Sequence, residues 1–154
     1  MMELPKPTEG HDRLEMFVGS WQGTEILHPS PWDSNGGTAK GFVENRRALG
    51  GFSLIQEYRQ ERDGKTTFEG HGVFTYDPEK DEYVLYWFDS MGLGVNDYRG
   101  KLEDGVLTVE HQGEMGHSRC VFDMRKEGSY TFRMQGSPDG SVWMSFMDGT
   151  YQKS

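Results

Sequence analysis

Arg47, Asn45 and Gln56 are the residues whose types and spacing best suit binding chemistry. If Gly50-Gly51 is a two-residue turn, counting back along the hairpin sets Arg47 opposite Leu54, Asn45 opposite Gln56 and Val43 opposite Tyr58. A guanidinium facing an apolar interior would grip a carboxylate or other polar head in bidentate fashion. The competing reading is an outward Arg47 in a surface ion pair, or an internal one satisfied by Asp89. Asp89 closes the stretch "YVLYWFDSMG" (83–92). Buried, it would be a general base with a raised pKa; otherwise it caps the "SMG" turn through its side chain.

His71, between two glycines in "EGHGVF", has the uncrowded position an imidazole ligand or base requires, yet it equally suits a surface pair with Glu57. His11 offers an imidazole or, more plainly, a hydrogen bond to a neighbouring rim. His111 and His117 flank "QGEMG" without the spacing of a metal site, and a single cysteine, Cys120, excludes an intrachain disulfide and a cysteine-based zinc site. No nucleophile elbow, phosphate loop or dinucleotide fingerprint is present. Met115, Met124, Met134, Met144 and Met147, beside Phe122, Tyr130, Phe132, Trp143 and Phe146, would make a deformable apolar lining, or simply a core.

These residues must be positioned by strands. With 154 residues the chain is expected to form one domain, 1–154. Turn signals at Gly50-Gly51, Asp63-Gly64, Asp77-Pro78, Asp104-Gly105, Glu127-Gly128 and Asp139-Gly140 punctuate ten segments: 20–28, 38–49, 52–61, 66–76, 82–90, 94–102, 105–112, 117–126, 129–136 and 141–151. One segment has helical spacing, 8–19, with Thr8 as N-cap, Leu14, Phe17 and Val18 on one face and Gly19 as the stop. The stretch 29–37 is the long loop. Ten short strands joined by hairpins imply a sandwich or an up-and-down antiparallel β-barrel.

The formal net charge of −9 argues against nucleic acid and anionic membrane surfaces, which need clustered Lys and Arg. No 18-residue apolar run occurs, and "MMELPKPTEG" lacks the basic and apolar regions of a leader, so a cytoplasmic protein is expected.

Which side chains face inward depends on the turn at Asp63-Gly64. A four-residue loop at 78–81 sets Phe74 opposite Leu85, Gly72 opposite Trp87 and Gly70 opposite Asp89. A three-residue loop with a glycine bulge at 63–64 then gathers Gln56, Tyr58, Gly72, Phe74, Trp87 and Asp89 inside. A two-residue turn would instead bring His71 and Glu69 inside with Tyr86 and Phe88, because a one-residue slip flips every side chain. The bulge separates charged from apolar faces more cleanly and is the preferred reading. It leaves Val84, Tyr86 and Phe88 in an outer stripe with Ile55 and Val73, too apolar to leave wet, which predicts a homodimer, with the N-terminal segment as the competing cover.

The segment "HDRLEMFVGSWQG", followed by "ALGGF", "GHGVFTYDPEKDEYVLYWFDSMG" and "YRGKLEDG", resembles the domain-of-unknown-function 1579 family, and Gly19-Ser20-Trp21 resembles the Gly-X-Trp opening of lipocalin-like (calycin) barrels. The resemblance implies a calycin-like barrel with Trp21 closing one end beneath an N-terminal helix; it implies no activity. "GSWQGTEILHP" is also similar to the opening of nitrobindins, which hold haem through a histidine near the C-terminus. Here the last histidine is His117 and the final strand offers only Met144 and Met147, so no cofactor is expected.

The function expected is a binding module with a small apolar or amphipathic ligand in its lumen. Its lining would be Arg47, Asn45, Gln56, Tyr58, Phe74, Trp87, Asp89, Met134 and Met144. The alternatives are an enzyme with an internal Asp, His or Tyr, or haem, and a barrel plugged by its own side chains that acts by dimerising.

Overall fold

The computed structural model describes residues 2–31 and 33–154; Trp32, part of the long loop expected at 29–37, lies outside them. Among the described residues ten strands close into one antiparallel barrel: β1 (Gly19–Leu27), β2 (Gly37–Ala48), β3 (Ser53–Arg62), β4 (Lys65–Asp77), β5 (Glu82–Asp89), β6 (Asn96–Glu103), β7 (Val106–Gly113), β8 (Gly116–Asp123), β9 (Ser129–Ser137) and β10 (Met144–Lys153). Each strand pairs with its sequence neighbours and β1 with β10, so no edge is left to recruit another chain. The turns have the chemistry that tight hairpins demand: Asp63 and Gly64 take φ of 53° and 75°, Asp104 and Gly105 50° and 78°.

The register along β2 to β5 is the preferred one, reached by a different device. Gln56 faces Gly72, Tyr58 faces Gly70 and His71 faces Glu57. The Asp63-Gly64 turn has two residues, not three; the extra residue is Thr67, bulged between the pairs Glu61–Thr66 and Gln60–Phe68. One inserted residue shifts the parity of the whole hairpin wherever it lies.

The N-terminal segment is shorter and tighter than the helix expected over 8–19. It comprises α1 (Glu9–Asp12), a 3-10 segment Arg13–Phe17, and then Gly19 already in β1. Thr8 does precede the first turn. The partner of its backbone N–H is His11 Nδ1, at 2.9 Å, in the place a glutamate takes in a capping box. His11 is 5% exposed, with its ring edge-on to Phe52 and Tyr76, and burial lowers its pKa with Arg47 adding to the effect. A neutral ring can accept the Thr8 hydrogen; a protonated one cannot.

This segment plugs one end. Leu14 and Phe17 are buried, Phe17 packs against the rings of Phe74 and Phe122, and Tyr83 Oη donates to the Gly10 carbonyl at 2.6 Å. Trp21 Nε1 and Asn45 Nδ2 both donate to the Phe17 carbonyl, at 3.0 and 2.8 Å. Two side chains from the wall thus satisfy a carbonyl left over where the 3-10 segment ends. Trp21 is 4% exposed and packs edge-on to Tyr130. Trp21→Ala should therefore lower stability in urea denaturation by about 3–5 kcal/mol, the usual loss for a buried large aromatic. A change below ~1 kcal/mol would show that Trp21 does not hold the plug.

Candidate functional site

Burial grades along the barrel. At the plugged end the inward residues Val43, Leu54, Phe74, Leu107 and Val109 are fully packed. Toward the opposite mouth Tyr58, Gln60, Trp87, Asp89, His111, Met134 and Met147, in the same inward phase, are only half-buried. Glycines make room for the large rings. A Cβ on Gly70 would collide with the six-membered ring of Trp87, and one on Gly72 would press on Leu85 and the same indole.

Deepest among these residues is one that sequence reasoning missed. Glu25 is fully buried. Its position follows from alternation: Trp21 points inward, so Gly23 and Glu25 do too. Tyr151 Oη donates to Glu25 Oε2 at 2.5 Å, Tyr58 Oη lies 2.8 and 2.7 Å from the two oxygens, and Gln60 Nε2 donates to Oε1 at 2.9 Å. Both oxygens are met by donors, the arrangement a carboxylate requires. Every one of these donors is neutral. Among the described residues no Lys, Arg or His pairs with Glu25. Gly41 makes the space, since a Cβ there would strike the Glu25 carboxylate and the Tyr151 ring.

Burial first, and then the Glu25 charge, push the phenols of Tyr58, Tyr130 and Tyr151 far above their ordinary range. At the mouth the network reaches a pocket of about 350 Å³ lined by Gln60, Phe68, Leu27, His28, Arg62 and Phe146, among others. The basic side chains there already have partners: Arg62 with Asp33 at 2.8 Å and His28 with Asp148 at 2.7 Å. A second groove, about 390 Å³, lies on the outer face of β6 and β7 among Arg99, Lys101, Glu103 and Glu110, away from the lumen.

Tyr58, Trp87, Asp89 and Met134 come together in the mouth half of the wall, while Gln56 is buried between Asn45 and Gly72, and Phe74 belongs to the packed end. Asp89 does two things at once. Oδ2 accepts from Trp87 Nε1 at 2.9 Å and Oδ1 from the Met91 N–H at 3.0 Å, so it both forms the turn and fixes the indole.

Arg47 and Asn45 require a correction. Asn45 supports the plug, and Arg47 reaches Glu15 at 3.2 Å, Asp12 at 3.4 Å and the Gly51 carbonyl at 2.5 Å. The clamp expected for a ligand's carboxylate instead grips the N-terminal segment, because Arg47 lies near the rim end of β2 and its side chain is long enough to leave the lumen.

Met144 is likewise corrected. Met144, at the mouth end of β10 opposite Gly136, is 60% exposed, and beyond a bulge at Phe146 it is Met147 that lies opposite Met134. The alternative lining is on the outer wall. His71 pairs with Glu57 at 2.6 Å, Glu69 is exposed, and Tyr86 and Phe88 are 37% and 46% exposed. His11 is a cap. Among the described residues no group of three or more His, Cys, Asp or Glu is placed to hold a metal ion.

Comparison with known proteins decides the family. The family model described as "Protein of unknown function (DUF1579)" matches residues 6–153. The chain belongs to the DUF1579 family. Its barrel is similar to Rv2717c from M. tuberculosis, at 14% identity and a TM-score of 0.68, covering 96% of this chain and 98% of that one. It also resembles the S-type phycobiliprotein lyase CPES from Guillardia theta, at 11% identity and a TM-score of 0.65, covering 94% and 92%. A third likeness is to a point mutant of the fluorescent protein UnaG, at 15% identity and a TM-score of 0.58, covering 92% and 98%. No curated protein matches the sequence. At these identities the likenesses establish a calycin-like barrel and nothing about chemistry.

The network generates a pH prediction. A phenol whose pKa is raised by folding adds stability that is complete below its unfolded value of about 10 and is lost as pH rises through the folded value. Tyr58, Tyr130 and Tyr151 should therefore stay protonated in ultraviolet titration until the protein unfolds in alkali. In Glu25→Gln the charge that helps raise them is gone, and their titration should move to lower pH. An identical titration curve in wild type and variant would contradict the network.

Proposed function

We propose that this DUF1579 barrel binds a small apolar or amphipathic molecule that enters at the mouth opposite the N-terminal plug. The observation carrying this reading is the gradient of burial along one continuous inner wall. The plugged half is packed by its own side chains. The mouth half presents half-buried Tyr58, Trp87 and Met134 over the wall glycines Gly70 and Gly72, next to a pocket of about 350 Å³. The pocket mixes apolar Leu27, Phe68 and Phe146 with polar His28, Ser30, Asp33, Gln60, Arg62 and Thr67, a lining suited to an amphipathic rather than a purely apolar molecule. Asp89 holds the Trp87 indole in place, so the largest aromatic surface at the mouth is set before a ligand arrives.

Titration with N-phenyl-1-naphthylamine should give saturable binding with quenching of tryptophan emission. Trp87→Phe should remove most of the quenching, whereas Trp21→Phe, altered at the plugged end, should keep it. No saturable binding would favour a plugged barrel. Binding with full quenching in Trp87→Phe would move the site away from the mouth.

The outer wall supports a finer reading, a homodimer. Tyr86 pairs across the sheet with Val73 and Phe88 with His71, and Ile55 extends the row. Val84, expected in the same stripe, is buried. A two-fold axis reuses one patch on both chains, and about 800 Å² per partner would suffice. Tyr86→Lys with Phe88→Lys should give a folded monomer by light scattering with unchanged circular dichroism. A wild type already monomeric at micromolar concentration would sink the dimer.

A further inference from the structure

The polarity of the Glu25 network assigns a ligand class. Gln60 Nε2 lies 2.9 Å from Glu25 Oε1, 3.1 Å from Tyr58 Oη and 3.7 Å from Met147 Sδ. All three are acceptors, with Tyr58 giving its only hydrogen to Glu25, so the amide cannot be flipped: its oxygen would meet the carboxylate. Gln60 Oε1 is thereby committed to the other side, and Gln60 lines the mouth pocket.

The same holds throughout the cluster. The hydroxyl hydrogens of Tyr58 and Tyr151 and the Gln60 amide hydrogen all point toward Glu25. What remains for the lumen is acceptor surface, backed by a carboxylate that no cation among the described residues neutralises. The carboxylate polarises the Gln60 amide through its N–H and makes the carbonyl a better acceptor. The aromatic rings nearby, Tyr58, Phe68 and Trp87, present faces that also favour positive charge. The basic groups at the mouth do not offset this: Arg62 and His28 are held by Asp33 and Asp148, and His111 Nδ1 lies 2.8 Å from the Asp97 carbonyl. Arg47, which would have welcomed an acid, is bound to the plug.

We propose that the mouth pocket selects an N–H donor, an amine or a protonated nitrogen heterocycle on an apolar body, with Gln60 Oε1 as its acceptor and Glu25 as its fixed counter-charge. The inference rests on the lumen-binding reading above and deepens it. A fatty acid or other carboxylate is the ligand such a pocket rejects, because its charge would face Gln60 Oε1 and Glu25 while Arg62, His28 and His111 already have acidic or carbonyl partners.

The test is competition against bound N-phenyl-1-naphthylamine by dodecylamine, dodecanol and dodecanoate, each below its micelle concentration and at physiological salt. Dodecylamine should displace the reporter at a concentration about tenfold or more below dodecanoate, the margin a charge-assisted hydrogen bond gives over an unpaired one. The readout in variants is the amine-to-acid ratio, normalised to each variant's own reporter affinity. Glu25→Gln and Gln60→Leu should both shrink that ratio; Gln60→Leu removes no charge, which separates the acceptor from the general negative charge of the protein. If Glu25→Gln fails to fold, Gln60→Leu alone decides. Equal or better displacement by dodecanoate in wild type overturns the inference and leaves lumen binding standing, as does an undiminished ratio in Gln60→Leu. Absence of reporter binding in wild type overturns the lumen reading itself, and this inference with it.

Discussion

Strand β1 must hydrogen-bond on both edges, to β10 and to β2, for the barrel to close. That constraint fixes the direction of every side chain along it. Once Trp21 turns inward to cover the plug, alternation sends Gly23 and Glu25 inward as well. The outward set, Ser20, Gln22 and Thr24, meets water. The strand that anchors the lid is therefore the strand that carries a carboxylate into the interior, and neither can change face without opening the barrel. Burial of that carboxylate without a cation has to be offset by hydrogen bonds, and Tyr58, Tyr151 and Gln60 supply them from β3 and β10. Gly41 and Gly149 then become steric requirements, because a Cβ at either would press on the network.

The two ends of the barrel differ in what their polar groups do. At the plugged end Asn45, Tyr83 and Trp21 donate to backbone carbonyls of the N-terminal segment, and Arg47 ties down its acidic residues. Those bonds satisfy groups that burial would otherwise strand, and they serve the architecture. At the mouth, Glu25, Gln60 and Asp89 are joined to rings that remain partly open to solvent. The match at the plugged end is not complete, since Asn45 Oδ1 and Arg47 Nε are buried without a partner. What distinguishes the mouth is that its polar groups border rings still partly open to solvent, and the proposed site rests on that exposure.

Most of the architecture is legible in the sequence because hairpin turns and alternation are local. Ten strands, the antiparallel barrel and the pairing of Arg47 with Leu54 or Gly72 with Trp87 all follow from counting outward from the hairpin turns. Bulges are less visible. The parity of the β3–β4 hairpin comes out right because any single extra residue corrects it, though Thr67 and not the Asp63-Gly64 turn supplies it. In β10 the bulge at Phe146 sets Met144 opposite Gly136 in the inward phase, yet Met144 is 60% exposed, because parity does not say where along the strand the wall stops being covered. Counting gives Arg47 its phase but not its role, since the reach of a long side chain at a strand end is not set by parity.

Glu25 is within reach of the same counting. An isolated glutamate in "SWQGTEIL" suggests a solvent face, and that default outweighs a period-two argument resting on Trp21 alone. The companion signal lies in the tyrosines. Tyr58 and Tyr151 both fall in the inward phase, and a buried phenol needs an acceptor. Two inward tyrosines and an inward glutamine without a carbonyl to serve them already imply a shared acceptor inside the wall. Only one acidic residue of β1 has the parity to provide it. The exceptional residue is therefore not an intruder on the apolar interior but the reason its polar neighbours are there. A carboxylate that takes the hydroxyl hydrogens of Tyr58 and Tyr151 and an amide hydrogen of Gln60 leaves acceptor atoms on the far side of those groups, and the ligand class proposed for the mouth rests on that polarity.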